Sequence, residues 1–424
     1  MLNLLLLRRF IVKQRDCHLD EVIMSYPYPC YRSSLGLAAL WLGLSAPLSA
    51  ATLKDTLDQA WAAQAPAQSA RAAQFDAQQA AARAWLPEPP TLTLSGRSDQ
   101  IDRNSGLREW EAEVGVPLWL WGQRDRAGAV AHGEREAGIQ GFAHQRWLLA
   151  GELREAWWEV RLAQAELDAA ELKVTEAGRL EADVARRLKA GALAPLDLNL
   201  ARSSVAQAGS ERLRAQATLA RARSQFQALS RAAPLPDQDE LPGTEVAAEQ
   251  HPQLMNLVAK ASAAQARLGQ AGGDTRNNPE LALTLSRERG NDGEPYQNLA
   301  KVAIKIPLGS PARNQPRISA ASAELTDAQI ALDGAQRRLA ADVAASRAEL
   351  DQTSAAATLQ QQRLQLAGQS FSWVEQAFQA GQLDLPALIR AETELADARL
   401  QAARARIEAA RAVSRYNQTV GILP

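Results

Sequence analysis

Cysteine is almost missing from this chain, and the little there is sits where it has no structural use. The 424-residue sequence has two, Cys17 and Cys30, and both precede the small-residue run Ser45-Ala46-Pro47-Leu48-Ser49-Ala50-Ala51. If the chain is cut in that run, the mature protein has no disulfide, no thiolate metal site and no cysteine to carry an N-terminal lipid. Aromatic residues are scarce at 5%, and alanine is abundant, which favours closely packed long helices over a mixed globular core. Charge of one sign is missing too: the formal net charge is -1, so nothing points to a nucleic-acid partner. No Gly-rich phosphate loop, nucleophile elbow or His-Glu metal helix is found, which argues against an enzyme and against a bound cofactor.

Residues 1–50 read as targeting sequence. Arg32 precedes an apolar run from Leu35 to Leu44, and the small residues follow, in the charged, apolar, small order of a secretory signal. The run is about ten residues, too short to span a bilayer. Met24 is a second candidate start, and the competing reading of the segment is a membrane anchor.

What the chain does have is a repeated break in a very long helical pattern. Lys189-Ala190-Gly191-Ala192-Leu193-Ala194-Pro195-Leu196-Asp197-Leu198 interrupts the first half. Gln379-Ala380-Gly381-Gln382-Leu383-Asp384-Leu385-Pro386-Ala387-Leu388 interrupts the second, 190 positions later. A left-handed Gly ends one helix and the following Pro suits the first turn of the next, so each stretch is predicted to be the tip of a helical hairpin. Pro117-Leu118 and Pro307-Leu308, Phe226 and Tyr416, and Pro234 and Pro424 obey the same offset. The expected organisation is a first repeat over 51–234, a linker over 235–250 with Pro236 and Pro242, and a second repeat over 251–424. Each repeat reads as helix, two strands, long helix, helix.

The first long helix is expected from about Arg124 to Lys189. Leu149, Leu153, Ala156, Val160, Ala163, Leu167, Ala170 and Val174 form a heptad seam in it. Leu325, Ala328, Leu332, Ala335 and Leu339 do the same in the second. Helices over 53–84 and from Pro195 to Ser230, stacked end to end, match the length of the first long helix and could flank it. The arginines and glutamates of the long helices are expected at surface heptad positions, most of them on solvated faces. His132, His144 and His251 are expected to be solvent-facing or packing residues, with no metal site.

The strands alternate. Glu109, Glu111 and Glu113 point one way, and Trp110, Ala112, Val114 and Val116 the other. Lys301 and Lys305 oppose Ala300, Val302, Ile304 and Ile306. Leu281 to Leu285 and Thr91 to Arg97 supply the other two strands. A sandwich core would give this pattern. In an exported chain of long helices, the apolar face could instead meet lipid while the charged face lines water. Trp85, Trp119 and Trp121 gather at one end of the first strand pair, as at a membrane–water interface or an ordinary helix–sheet contact. Four strands cannot close a barrel, and open edges are not tolerated in lipid, so several copies would have to share one. The object expected is a long hollow conduit.

The twofold repeat, the Gly191…Leu196-Asp197 and Gly381…Leu388 tips and the Pro-Leu strand exits together resemble the outer-membrane efflux protein family (TolC-like), over nearly all of the mature chain. The resemblance implies a mainly α fold with a β transmembrane part: a homotrimer with a periplasmic α-barrel and one shared twelve-stranded β-barrel in the outer membrane. Gly191, Leu193, Asp197, Gly381, Leu383 and Asp384 would dock on a periplasmic adaptor (membrane fusion) protein. That adaptor would link the channel to an inner-membrane pump of the RND type. Trp110, Val114, Val116, Val302, Ile304 and Ile306 would face outer-membrane lipid, and Glu109, Glu111, Glu113, Lys301 and Lys305 the lumen. The family pattern has Asp six positions after the tip Gly; Asp197 keeps it, but the second tip has Ala387 there and Asp384 earlier. Arg313-Asn314-Gln315 after Pro307-Leu308 is similar to the heavy-metal (cobalt-zinc-cadmium) branch. The cargo order is therefore metal cations, then multidrug efflux, then type I protein secretion. From other classes, a periplasmic adaptor fits poorly with two equivalent hairpins, and a structural coiled coil with four alternating strands.

Overall fold

The computed structural model describes residues 52–245 and 247–424; the expected signal segment and the choice between Met1 and Met24 lie outside them. The element order is α1 (Leu53–Ala62), α2 (Ala65–Arg83), β1 (Thr91–Ser98), β2 (Arg108–Pro117), α3 (Gln123–Lys189) and α4 (Pro195–Ser230). After a 3-10 turn at Ala248–Gln250 come α5 (Pro252–Gly273), β3 (Glu280–Arg289), β4 (Gln297–Lys305), α6 (Pro311–Gln379) and α7 (Leu385–Thr419). Helix, two strands, long helix, helix thus occurs twice.

The helix expected over 53–84 is two helices. Pro66 stands in the first turn of α2, where its missing N–H and fixed φ are tolerated, and it interrupts the ladder that would have run on from α1. A capping box starts α1: Thr52 Oγ1 accepts from the Asp55 N–H at 3.2 Å, and the Asp55 carboxylate accepts from the Thr52 N–H at 3.1 Å. Helix α5 runs through Gly272 and Gly273. Asp274, 6% exposed, follows the helix and pairs with Arg126 at 2.8 Å, which fixes the exit toward β3.

At 67 residues, α3 is about 100 Å long. Its heptad seam is buried or half-buried along its length. Leu219, Ala222 and Phe226 of α4 pack on Trp157, Trp158, Val160 and Ala163, and Leu53 of α1 joins the same cluster. The start of α1 therefore meets the end of α4 against one stretch of α3, so the two short arms do flank the long helix in series. Most of its charged residues are expected to be solvated; Arg154 is an exception, at 2% exposed. Its guanidinium donates to both oxygens of Glu240, at 2.9 and 2.7 Å, to Gln418 Oε1 at 2.5 Å and to the Ile422 carbonyl at 3.0 Å.

Arg154 is the centre of a waist. The stretch before α5 lies against α3: the Trp157 indole donates to the Pro236 carbonyl at 3.1 Å, and Asn417 bonds the Leu241 carbonyl and the Gly243 N–H, each at 2.9 Å. The C-terminus is tied to the same belt, because Trp147 Nε1 donates to the Gln418 carbonyl at 2.9 Å and Gln418 Nε2 to the Trp147 carbonyl at 2.8 Å. His144 stacks on Trp147, and His251 meets the Trp147 ring edge-on. Burial depresses the pKa of both imidazoles below the ordinary 6.5; Lys260 adds to the effect at His144, while at His251 a backbone contact to Thr419 opposes it and His144 adds to it, the net shift staying downward. Below 6.5 the unfolded chain takes up protons that the folded chain refuses. These groups should therefore make stability fall as pH drops from 6.5 toward the depressed values, and give no slope above 6.5. Unfolding midpoints of the His251→Gln chain between pH 5 and 7 are expected to depend less steeply on pH; an unchanged slope would discard the assignment.

The four strands form one antiparallel sheet in the order β1-β2-β3-β4. The register makes continuous apolar rows: Leu92, Val114, Leu283 and Val302 lie side by side, as do Leu94, Ala112, Leu285 and Ala300. Among the described residues no helix is long and apolar enough to cross a membrane.

Candidate functional site

Two regions hold the residues that the sequence singles out: the faces of the sheet and the hairpin tips.

On the sheet, Val114, Val116, Val302 and Ile304 share one face with Leu281, Leu283 and Leu285, because each pairs only with a residue of the same parity on the next strand. Val302, Ile304 and Leu94 are 70%, 63% and 73% exposed, far more than a packed sandwich face would leave. From Val116 to Trp110 the band is about 20 Å tall along the strand. Trp110 closes it, lying over Gly96, where a Cβ would come within 3.2 Å of the indole ring. Ile306 follows the end of β4 and is 56% exposed. The opposite face carries Glu113 with Thr93, Thr284 and Lys301 in one row, and Glu111 between Ser95 and Ser286 in another. Thr284 donates to Glu113 at 3.1 Å, and Lys305 forms an ion pair with the same carboxylate. Glu109 pairs with Arg97 and Glu288 in register. Trp85 and Trp121 are exposed, while the Trp119 indole is turned inward onto the Ala84 carbonyl at 3.1 Å.

This division of faces has a direct test. Lipid-soluble labelling of Val114→Cys and Val302→Cys in membranes is expected to exceed labelling of Glu111→Cys and Lys301→Cys several-fold. Equal labelling would sink the assignment of the apolar face to lipid.

At the tips, Gly191 has φ +75° and Gly381 +76°. Each closes a Schellman turn: the Ala192 N–H reaches the Arg187 carbonyl at 2.9 Å, and the Gln382 N–H the Ala377 carbonyl at 2.8 Å. No neighbour lies within 4 Å of where a Cβ would stand on either glycine. The two tips pack on each other, for Val184 and Ala201 of one hairpin bury against Phe378, Leu385 and Leu388 of the other. Leu193 joins that cluster, whereas Leu383 is 40% exposed. The Arg187 guanidinium sits 4.8 Å from the Phe378 ring centre, which adds a cation–π contact.

The mismatch between Asp197 and Asp384 has a local cause. Asp197 accepts from the Ala194 N–H at 2.9 Å, reaching back across the first turn of α4. Asp384 is itself the N-cap of α7 and accepts from the Ala387 N–H at 3.0 Å. These are the two ends of a capping box, so each hairpin uses one acid to start its returning helix but takes it from the other position.

The clasp between the repeats is not legible from local spacing. Arg399 and Arg404 of α7 reach Glu176 and Glu166 of α3 at 2.6 and 2.5 Å. Arg411 pairs with Glu155 and Glu159, and Arg415 bonds Glu155 at 3.0 Å and Glu349 at 2.8 Å. Burial, with Glu176 and Glu375 nearby, raises the Glu392 carboxyl above its usual range. The arginines recur near one face of α7, but their partners on α3 are more than 200 positions away.

Comparison with known proteins agrees with this architecture. Residues 244–421 match the family model described as outer membrane efflux protein. The cobalt-zinc-cadmium resistance protein CzcC of Cupriavidus metallidurans is 27% identical over 325 residues, covering 74% of this chain and 77% of that protein. The solved structure of CusC, a transmembrane channel, superposes with a TM-score of 0.70 at 18% identity, covering 88% of this chain and 92% of the other. VceC from Vibrio cholerae gives 0.69 at 15% identity over 87% and 96%, and the CmeC channel of Campylobacter jejuni 0.70 at 13% over 87% and 85%. The second repeat thus matches the outer membrane efflux protein family, and most of the chain shares its fold with these solved channels.

Proposed function

We propose that this chain is the outer-membrane channel of a tripartite efflux system and that its cargo is a heavy-metal cation. The observation that carries the cargo is the 27% identity, over 325 residues, to a cobalt-zinc-cadmium resistance protein. The channel works as a passive conduit, so it needs no tight cargo site, and strong binding would slow exit.

A homotrimer with one shared barrel is supported by what a single chain leaves unpaired. β1 and β4 are open edges of a sheet with an exposed apolar face, and such edges do not persist in lipid. Leu359, Leu366 and Trp373 recur every seven residues on α6 and are 63%, 63% and 66% exposed, a seam without a partner inside one chain. The adaptor is expected at the tips, and beyond it a pump of the RND type.

A metal and drug sensitivity panel on a deletion strain tests the cargo. Sensitivity to zinc, cadmium, cobalt or copper, rescued by the intact chain, is the expected result. Sensitivity confined to dyes, detergents or antibiotics would replace the metal reading with multidrug efflux through the same architecture. No sensitivity to either would overturn both in favour of polypeptide secretion.

A further inference from the structure

A cavity of about 1030 Å³ lies between α3, α5 and α6, bordered by the segment that leads into α5. It is at the upper end of the size range of drug-sized ligand sites. Leu254, Met255, Leu339 and Val343 give it an apolar wall. Its charged lining is of one sign: Glu136, Glu245 and Glu249 border it, and no Lys or Arg does.

That is unusual in this chain, whose helices pair carboxylates with arginines along most of their length. Among the described residues Glu136 accepts from the Gln140 amide at 2.8 Å, and no arginine or lysine stands in the lining to pair with any of the three. A second feature on the same wall points to a ligand. His251 is 1% exposed, and its Nδ1 accepts from the Gln253 N–H at 3.2 Å, which leaves the proton on Nε2. That buried Nε2 has no hydrogen-bond partner. A donor held there suits an oxygen of a ligand and does not suit a metal ion, which needs a lone pair. Nor do three His, Cys, Asp or Glu side chains converge on a metal position anywhere among the described residues. Carboxylates set apart around an apolar wall match a cation whose charge rides on a large apolar body.

We propose that this cavity binds an amphiphilic organic cation, its apolar body on the Leu254–Met255 wall, its charge among Glu136, Glu245 and Glu249, and an oxygen acceptor toward His251. The site is separate from the conduit's cargo, so metal resistance neither supports nor removes it.

The test uses the full chain in lipid nanodiscs and rhodamine 6G, a lipophilic monocation with an ester oxygen, followed by fluorescence polarisation against empty nanodiscs. Nile red, a neutral dye of similar size with a carbonyl, is the control. Saturable rhodamine 6G binding is expected. It should weaken at least tenfold in the Glu136→Gln/Glu245→Gln/Glu249→Gln chain, with Nile red unaffected by the same changes. Val258 lines the cavity, and Val258→Trp should fill it and remove binding while far-UV circular dichroism is kept. Rhodamine 6G binding as tight in the triple variant as in the parent would overturn the proposal. So would equal losses for the neutral and charged dyes. Should Val258→Trp misfold, the triple glutamine chain still decides.

Discussion

Arg154→Ala is expected to cost the folded chain roughly 3–5 kcal/mol, the range for removing one partner of a buried ion pair. Most ion pairs in this protein lie at partly exposed helix faces, where a pair is worth about 1 kcal/mol or less. Arg154 differs because it is 2% exposed and its partner Glu240 has a side chain only 12% exposed. Alanine would leave that carboxylate with no cation in a dry pocket, and would also strip donors from Gln418 and the Ile422 carbonyl. The carboxyl must then take up a proton, or the 235–245 stretch must leave the surface of α3. Arg154→Lys should rescue little, since an ammonium cannot reproduce the two parallel bonds to Glu240 together with the reach to Ile422. Arg154→Met with Glu240→Leu should recover a large part of the loss, because the uncompensated charge disappears with its partner. Denaturant midpoints report the first effect, and new proteolytic cleavage within 235–245 the second. A parent-like midpoint for Arg154→Ala would show that the waist does not depend on this pair.

That residue also marks the boundary of what could be read from the chain. The hairpins were legible because two local signals agree: apolar residues spaced by three and four, and a Gly that can turn left-handed where the pattern stops. The strands were legible because a sheet with two different faces must alternate, and the paired rows at Val114 and Leu283 follow from that parity. Arg154 was not, because it sits between Leu153 and Glu155 in a helix full of surface charge, and its partner lies in a Pro-rich stretch 86 residues on. Nothing in a helical period distinguishes an arginine that points to water from one that faces a crossing segment. The break between α1 and α2 was missed for a different reason. Pro66 is compatible with a helix's first turn, so alanine-rich sequence on both sides hid a start as an interior position. The tip acids were visible but misaligned, and only the hydrogen bonds of Asp197 and Asp384 show that both serve one cap. The cavity beside α5 could not be seen at all, since its three glutamates come from α3 and from the segment before α5.

Leu383→Glu is expected to abolish efflux, at least tenfold in the concentration of toxic cargo tolerated, while the assembled channel stays intact. Its side chain is 40% exposed and takes no part in the cluster that holds the two tips together, so the new charge meets solvent or a partner rather than a core. Leu193→Glu should combine the same loss with weaker tip packing, because Leu193 rests on that cluster. Gly191 and Gly381 separate the two effects from another side. A side chain on either glycine meets nothing within 4 Å, so the only internal cost is a left-handed backbone at φ +75° or +76°. That strain is about 1–2 kcal/mol and local to a turn already at the end of the molecule. Gly381→Asp should therefore leave the channel folded and assembled on a native gel, and any loss of resistance must come from the surface offered to the adaptor. Loss of resistance with intact assembly in both Leu383→Glu and Gly381→Asp would fix the tips as the docking site. Full resistance in both would remove them from it and move the adaptor to the sides of the hairpins, where α4 and α7 present their outer faces.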